Sequence, residues 1–148
     1  MIEYVIVGDI GSLNIPGIVK STRSDNLWLQ TCFECFAMTD EGMYGEFNFS
    51  PSTCWAAYSF SSYREHMTPA LGKIPVIQIH ETEARFALTA KLELAAFLPF
   101  PPKCLGLSAV IEEKDGTKSY WALAHPPGKP DFHHRDCFAL ELAPPANA

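Results

Sequence analysis

A group of histidines near the C-terminus contains side chains that often bind transition metals. The group consists of His125, His133, His134 and Asp136. If the flanking segments formed a hairpin, His125 and Asp136 would end adjacent strands with a histidine above them, and three such ligands suit zinc or iron. Adjacent histidine side chains diverge, however, and the spacings H-x-x-x-H and HExxH do not occur in the sequence. A metal-binding protein or metal-dependent enzyme is therefore an alternative hypothesis, and no metal, haem or other cofactor is predicted.

The same segment could instead form a rigid, polar wall of a ligand-binding site. Pro126, Pro127 and Pro130 restrict the backbone and lower the conformational entropy of the unfolded loop. The rim would then present polar groups to a ligand from Lys129, Asp131, His133 and Arg135. We favour this interpretation over the metal site. A loop that only connects two strands is the third alternative.

Two glutamates are the other candidates for chemistry. Glu34 interrupts the apolar segment CFECF, and a glutamate there faces solvent, a site, or an internal partner such as Arg64. Glu46 and Asn48 share one face of a second predicted strand. Two carboxylates could act as the acid and base of a glycosidase. The sequence has no nucleophile elbow, phosphate loop or dinucleotide fingerprint, so it favours a binding protein over an enzyme.

The pair Cys32 and Cys35 has the CxxC spacing of some metal and redox sites. On a strand, residues three apart point to opposite faces, and the sequence has no second CxxC that would complete a zinc site. We therefore predict that both thiols are structural and unlinked.

The elements that must position these residues read as strands. Short segments rich in β-branched and aromatic residues recur at regular spacing, among them 27–38, 44–50, 54–60 and 84–94. Asp115-Gly116 predicts a hairpin between 104–113 and 119–125. The pattern predicts an all-β sandwich or barrel in a single domain, residues 1–143, with a frayed tail at 144–148.

The composition narrows the class of protein. The chain has 148 residues, 47% of them hydrophobic, and a net charge of −6 without a basic cluster, which argues against a nucleic-acid or membrane partner. The first segment, MIEYVIVGDIGSL, has no basic n-region and is too short and polar for a spanning helix. We expect a cytoplasmic protein, and the sequence does not indicate its oligomeric state.

Three segments resemble the bacterial DOMON-like proteins, relatives of the family 9 carbohydrate-binding modules. They are LWLQTCFECFA, YGEFNFSPSTCWAAYSFSSYREHM and SYWALAHPPGKPDFHHRDCFALEL. The shared core pattern comprises Trp28, Glu34 six residues later, and the strand Tyr44 to Phe47 leading to Ser50-Pro51. The resemblance spans most of the chain, from about residue 27 to residue 142.

This resemblance implies an immunoglobulin-like antiparallel β-sandwich with a ligand site at one end or face. In the sugar-binding relatives, a terminal sugar lies between two aromatic rings, and acidic, amide and arginine side chains bind its hydroxyls. Trp28 matches the platform tryptophan, and Glu34 matches the hydroxyl-binding carboxylate. Trp121 and Phe132 are the candidates for a second platform.

We therefore predict a non-catalytic module that binds a small molecule, of carbohydrate type. A pyranose has apolar C–H faces and a rim of hydroxyls, so it needs an aromatic platform and strong hydrogen-bonding groups. Residues 126–136 should form one wall of the site. The predicted ligand-binding residues are Trp28, Glu34, Glu46, Asn48, Arg64, Trp121, His125, Phe132 and His133. A protein-interaction module with a free strand edge is the second alternative.

Overall fold

A computed structural model describes residues 1–143 as strands joined by loops and short 3-10 turns. The strands are β1 (Ile2–Val7), β2 (Cys32–Met38), β3 (Tyr44–Phe49), β4 (Trp55–Phe60), β5 (Thr68–Pro69), β6 (Val76–Glu81), β7 (Arg85–Lys91), β8 (Cys104–Glu112), β9 (Lys118–Ala122) and β10 (Leu140–Glu141). The 3-10 turns are Ile10–Ser12, Leu27–Leu29, Leu94–Ala96 and Arg135–Cys137. The predicted tail, residues 144–148, lies outside the described residues.

The strands form two antiparallel sheets packed as a sandwich, which confirms the predicted fold class. The small sheet has the order β1-β7-β6. The large sheet has seven strands in the order β10-β8-β2-β3-β4-β5, with β9 also paired to β8. Among residues 1–143, no helix has the length and apolar character needed to cross a membrane.

The main core lies between the inner faces of the two sheets. Along β2, Phe33 and Cys35 point inwards and pack against Phe86 and Leu88 of β7, because successive side chains on a strand alternate between faces. The ring of Phe33 lies 5.0 Å from that of Tyr4 and 5.9 Å from that of Phe86, measured between centroids. β1 and β7 therefore lie over β2.

A second apolar cluster covers the outer face of the large sheet. The chain after β9 folds back across this face, and Phe132 and Phe138 pack there against Phe36 and Tyr44. Gly106 of β8 permits this close approach, since a Cβ atom at that position would lie 2.9 Å from the carbonyl oxygen of Cys137. Both faces of the central strands are consequently buried.

Two local predictions are corrected by the structure. Residues 27–38 are not one strand, because a 3-10 turn at Leu27–Leu29 precedes β2. The segment 123–139 does not close a hairpin, since β9 and β10 each pair with a different part of β8 and not with each other.

Candidate functional site

The candidate site is a concavity of about 450 Å³ on the outer face of the large sheet. We call it the outer-face pocket. It is lined by Trp28, Leu29, Glu34, Glu46, Phe60, Arg64, Met67, Val110, Lys118, Tyr120, Pro130, Asp131, Phe132 and His133. It therefore contains six of the nine predicted ligand-binding residues: Trp28, Glu34, Glu46, Arg64, Phe132 and His133.

Strand alternation places the two glutamates on the floor of this pocket. Glu34 is paired across the sheet with Asn48, and Glu46 is paired with Phe36, so the glutamates occupy diagonal positions on adjacent strands. All four side chains point to the outer face, away from the main core. The floor is therefore built from rigid central strands, which suits a preorganised site.

Glu34 is a buried acid whose carboxyl group receives little stabilisation from hydrogen bonds. Its side chain is only 3% exposed, and within residues 1–143 its hydrogen bond is a long one, donated by the Ser108 hydroxyl at 3.4 Å. Burial, together with the nearby Glu46 carboxylate, raises the pKa of Glu34 to about 8. At neutral pH its carboxyl group is therefore mostly protonated, and it can both donate and accept hydrogen bonds.

The carboxyl group of Glu46 has closer polar partners than that of Glu34. Its Oε1 accepts a hydrogen bond of 3.0 Å from the amide nitrogen of Asn48, and its Oε2 lies 3.6 Å from Nε2 of His133. Burial raises the pKa of Glu46 to about 7, although the bond from Asn48 and the charge of Arg64 oppose the increase. At neutral pH, the carboxyl group of Glu46 is therefore close to half-protonated.

A chain of hydrogen bonds fixes the orientation of His133. The Tyr44 hydroxyl accepts a bond from the backbone N–H of Arg64 at 3.0 Å and lies 2.8 Å from Nδ1 of His133. Either atom of this contact can be the donor, depending on which ring nitrogen of His133 carries the proton. Burial, assisted by Arg64, lowers the pKa of His133 to about 4, so the ring is neutral at pH 7.

Arg64 pairs with the loop and not with either glutamate, contrary to the sequence-based hypothesis. Its guanidinium donates to Asp131 at 2.8 Å, and Asp131 also accepts from the backbone N–H of His133 at 3.1 Å. Tyr63 donates to the other oxygen of Asp131. Arg64 holds its backbone at a φ of 54°, a left-handed conformation that is unusual for a side chain of this size. This strained turn fixes the 130–133 wall against β4.

Aromatic rings form much of the remaining wall. Trp28 is half-buried at the rim, and its ring packs edge-on against Tyr58 at 6.1 Å between centroids. Phe132, in the C-terminal segment, also lines the pocket, and its ring is 6.2 Å from that of Tyr120. Trp28 is therefore accessible to a ligand, whereas Trp55 is buried in the main core.

Three predicted site residues lie elsewhere. Trp121 is on the inner face of β9, because it neighbours Tyr120 in the strand and successive side chains alternate. His125 is exposed, with its ring 6.2 Å from that of Phe132. Asn48 is fully buried beneath Glu46 and does not line the pocket, so it acts on the site only through that carboxylate.

The histidine group does not converge in the way that the hairpin hypothesis required. His133 points into the pocket, His134 accepts a bond from the backbone N–H of Asp136, and His125 is exposed. Within residues 1–143, no group of three or more His, Cys, Asp or Glu side chains is arranged to hold a metal ion. Cys32 and Cys35 are free thiols, as are the other three cysteines.

Sequence reasoning missed several residues that build the pocket. Lys118 and Tyr120 enter it from β9, and Tyr44 orients His133 from below. Alternation within β3 placed Tyr44 on the same face as Glu46, which was a usable signal. Nothing in the sequence spacing indicated that Asp131 would pair with Arg64 across 67 positions.

Comparisons with models of protein families, with curated proteins and with solved structures found no match for this chain. The resemblance to DOMON-like proteins and family 9 modules therefore remains an expectation from the sequence.

Proposed function

We propose that this protein binds a small polar ligand of carbohydrate type in the outer-face pocket. The observation that carries the proposal is the burial of two carboxyl groups, those of Glu34 and Glu46, on the floor of a pocket with aromatic walls. The hydroxyl groups of a sugar can donate hydrogen bonds to these carboxyl groups and accept hydrogen bonds from them. Its C–H faces can stack on Trp28 or Phe132.

The size and rigidity of the pocket support the same proposal. A volume of about 450 Å³ lies within the range of small-molecule sites and exceeds that of one sugar ring. The floor belongs to central strands, and the wall at 130–133 is fixed by the Arg64–Asp131 pair. A preorganised site loses less conformational entropy when a ligand binds. A few hydrogen bonds and one stacking contact correspond to a Kd in roughly the micromolar to millimolar range.

The test is an NMR titration of the labelled protein with a panel of monosaccharides and disaccharides. We expect shifts at Trp28, Glu34 and residues 130–133, and we expect the Trp28→Ala variant to weaken binding at least about tenfold. Trp121→Ala is the matched control, because Trp121 is exposed on the opposite face of the same sheet. Shifts that map away from the pocket, or equal losses in the two variants, would contradict the proposal.

The pKa values of the same two glutamates favour a second candidate, glycoside hydrolysis. At neutral pH, Glu34 is mostly protonated and Glu46 is near its midpoint, so one could act as acid and the other as base. Release of nitrophenol from a panel of nitrophenyl glycosides, abolished by Glu34→Gln, would support this candidate. Binding of a glycoside without turnover would exclude it and leave the binding function intact.

A further inference from the structure

Trp121 lies on the inner face of β9, where no strand among residues 1–143 covers the large sheet. It pairs across β8 and β9 with Ala109, whose side chain belongs to the main core. Trp121 is nevertheless 64% exposed. The reason is the unequal width of the sheets, since three strands of the small sheet cannot cover the large sheet out to β9.

The free edge of β1 borders this uncovered area. β1 pairs with β7 on one side only. The N–H of Gly8 donates to the carbonyl of Ala84 at 3.0 Å. Because backbone groups alternate along an antiparallel strand, those of Glu3, Val5 and Val7 point away from β7. Within residues 1–143 these groups have no hydrogen-bonding partner.

The space between β1 and β9 is a groove of about 610 Å³, which we call the β1 groove. Its floor is apolar and includes Phe33, Leu107 and Ile111. One end is closed by residues 10–13, where Leu13 forms a bridge with Glu113, the residue that follows β8. The groove is thus a blind-ended channel with a free strand edge along one side.

We infer that the β1 groove binds an extended segment of another polypeptide, which adds a strand to β1 and covers Trp121. This inference uses no residue of the outer-face pocket and does not depend on the proposed function. The segment would form main-chain hydrogen bonds with Glu3, Val5 and Val7, as in β-strand addition. Its apolar side chains, at every second position, would pack onto Trp121 and the groove floor.

The geometry favours a single segment over a folded second copy of this chain. β1 lies over β2, so β8 and β9 extend past its free edge by about two strand spacings, roughly 10 Å. If two copies paired through β1 about a two-fold axis, the large sheets would occupy the same layer and collide. One isolated strand fits the channel without this collision.

The charge of the rim specifies the partner further. Glu3, Asp9 and Glu113 line the groove, and although the Glu3 carboxylate pairs with Arg85 at 3.4 Å, none of the lining residues that the structure describes is Lys, Arg or His. A segment with Lys or Arg at its ends would complement this rim, whereas an acidic segment would be repelled. The inferred partner is therefore an apolar, extended segment with basic flanking residues.

The experiment is an NMR titration of the full chain with the synthetic peptide KVTVTVK, blocked at both ends. We expect saturable shifts at Glu3, Val5, Val7 and the Trp121 indole, with a Kd of about 1 mM or tighter. The peptide EVTVTVE should bind at least about tenfold more weakly. KVPVPVK, whose prolines remove backbone donors, should not bind.

Two variants separate strand addition from nonspecific adhesion. Val5→Pro removes a donor on the free edge while sparing the bonds that Tyr4 and Ile6 make to β7, so it should abolish peptide binding in a folded protein. Trp121→Ser provides a second variant if Val5→Pro does not fold. Leu71→Ser, at a residue that is 80% exposed and lies outside the groove, should bind the peptide normally.

Equal binding of all three peptides would overturn the inference. A homodimer that Trp121→Ser dissociates would also overturn it and would assign the groove to a second copy.

Discussion

At the scale of single residues, the two buried glutamates make the stability of the protein depend on pH. Their pKa values, about 8 for Glu34 and about 7 for Glu46, lie above the ordinary value of 4.5, because burial disfavours the charged form. The folded state therefore binds more protons than the unfolded state over this interval. The stability that the protonated glutamates confer is complete below about pH 4.5 and is lost as the pH rises through the folded values.

His133 has the opposite effect in a lower range. Its pKa falls from 6.5 to about 4 on folding, so between these values the folded state binds fewer protons, and its contribution to stability increases with pH. Above about pH 6.5 this contribution no longer changes. A decline in stability between about pH 6.5 and pH 8 is therefore caused by the glutamates.

Glu34→Gln should make the protein more stable while weakening ligand binding. Glutamine resembles the protonated acid but cannot ionise, so the free energy of unfolding at pH 8 should rise by on the order of 2 kcal/mol. The gain should shrink towards pH 5. Urea denaturation at pH 5, 6.5 and 8 measures it, with the exposed Glu83→Gln as the control. Equal pH profiles for Glu34→Gln and the wild type would contradict the assignment.

Tyr44→Phe should loosen the wall of the pocket. The change removes the hydroxyl that accepts from the Arg64 backbone and is hydrogen-bonded to His133, and it leaves both groups without that partner. We expect a loss of about 1–3 kcal/mol in the free energy of unfolding. Tyr120→Phe is the matched control and should change stability by less than about 0.5 kcal/mol. Thermal denaturation of the two variants gives the comparison.

At the scale of elements, the 3-10 turn at Arg135–Cys137 depends on a glycine in β8. Gly106→Ala would place a methyl group 2.9 Å from the Cys137 carbonyl oxygen, a backbone atom that cannot turn aside. We expect a cost of about 1–3 kcal/mol and weaker ligand binding, because the displaced turn adjoins the pocket wall. Gly17→Ala, where no atom lies within 4 Å of the added carbon, should be nearly neutral. Chemical denaturation and ligand titration test both variants.

The strands and the β8–β9 hairpin were predictable from the sequence, whereas the long-range strand pairings were not. Alternation correctly placed Glu46 and Asn48 on one face, and it separated Phe47 and Phe49 onto the other. Within β9, alternation separates Tyr120, which lines the outer-face pocket, from Trp121, which does not. Asp115-Gly116 correctly predicted the hairpin that pairs β9 with β8. The pairing of β10 with β8 is instead a long-range choice, which depends on packing over the outer face and not on local spacing. The hairpin hypothesis for the histidine group failed for this reason.

The arrangement of the candidate site was likewise only partly predictable from the sequence. Trp28 and Glu34 were linked through the family resemblance, and the polar loop was expected opposite them. The structure brings Trp28, Glu34 and residues 130–133 into one pocket. The pairing of Arg64 with Asp131 depends on a left-handed turn and on contacts between distant segments, which no spacing encodes.

At the scale of the whole molecule, the five cysteines provide a test of the fold. All are free thiols, and four of them, Cys32, Cys35, Cys54 and Cys137, are buried. Titration under denaturing, non-reducing conditions should detect five thiols. In the native protein, Cys104 should react first because it is the one with partial exposure. Three or fewer thiols in the denatured protein would indicate a disulfide and contradict the structure.

The order of the strands also determines how the chain must fold. β2, β3 and β4 are neighbours in sequence and in space, so they can pair early through short turns. β1, in contrast, pairs only with β7, and β2 acquires its other neighbour only when β8 arrives. Loops of roughly 70–80 residues must close before these contacts form, and topologies of this kind fold in roughly milliseconds to seconds. During synthesis on the ribosome, β1 therefore remains unpaired until β7 has emerged. Its backbone edge is accessible to chaperones throughout that interval.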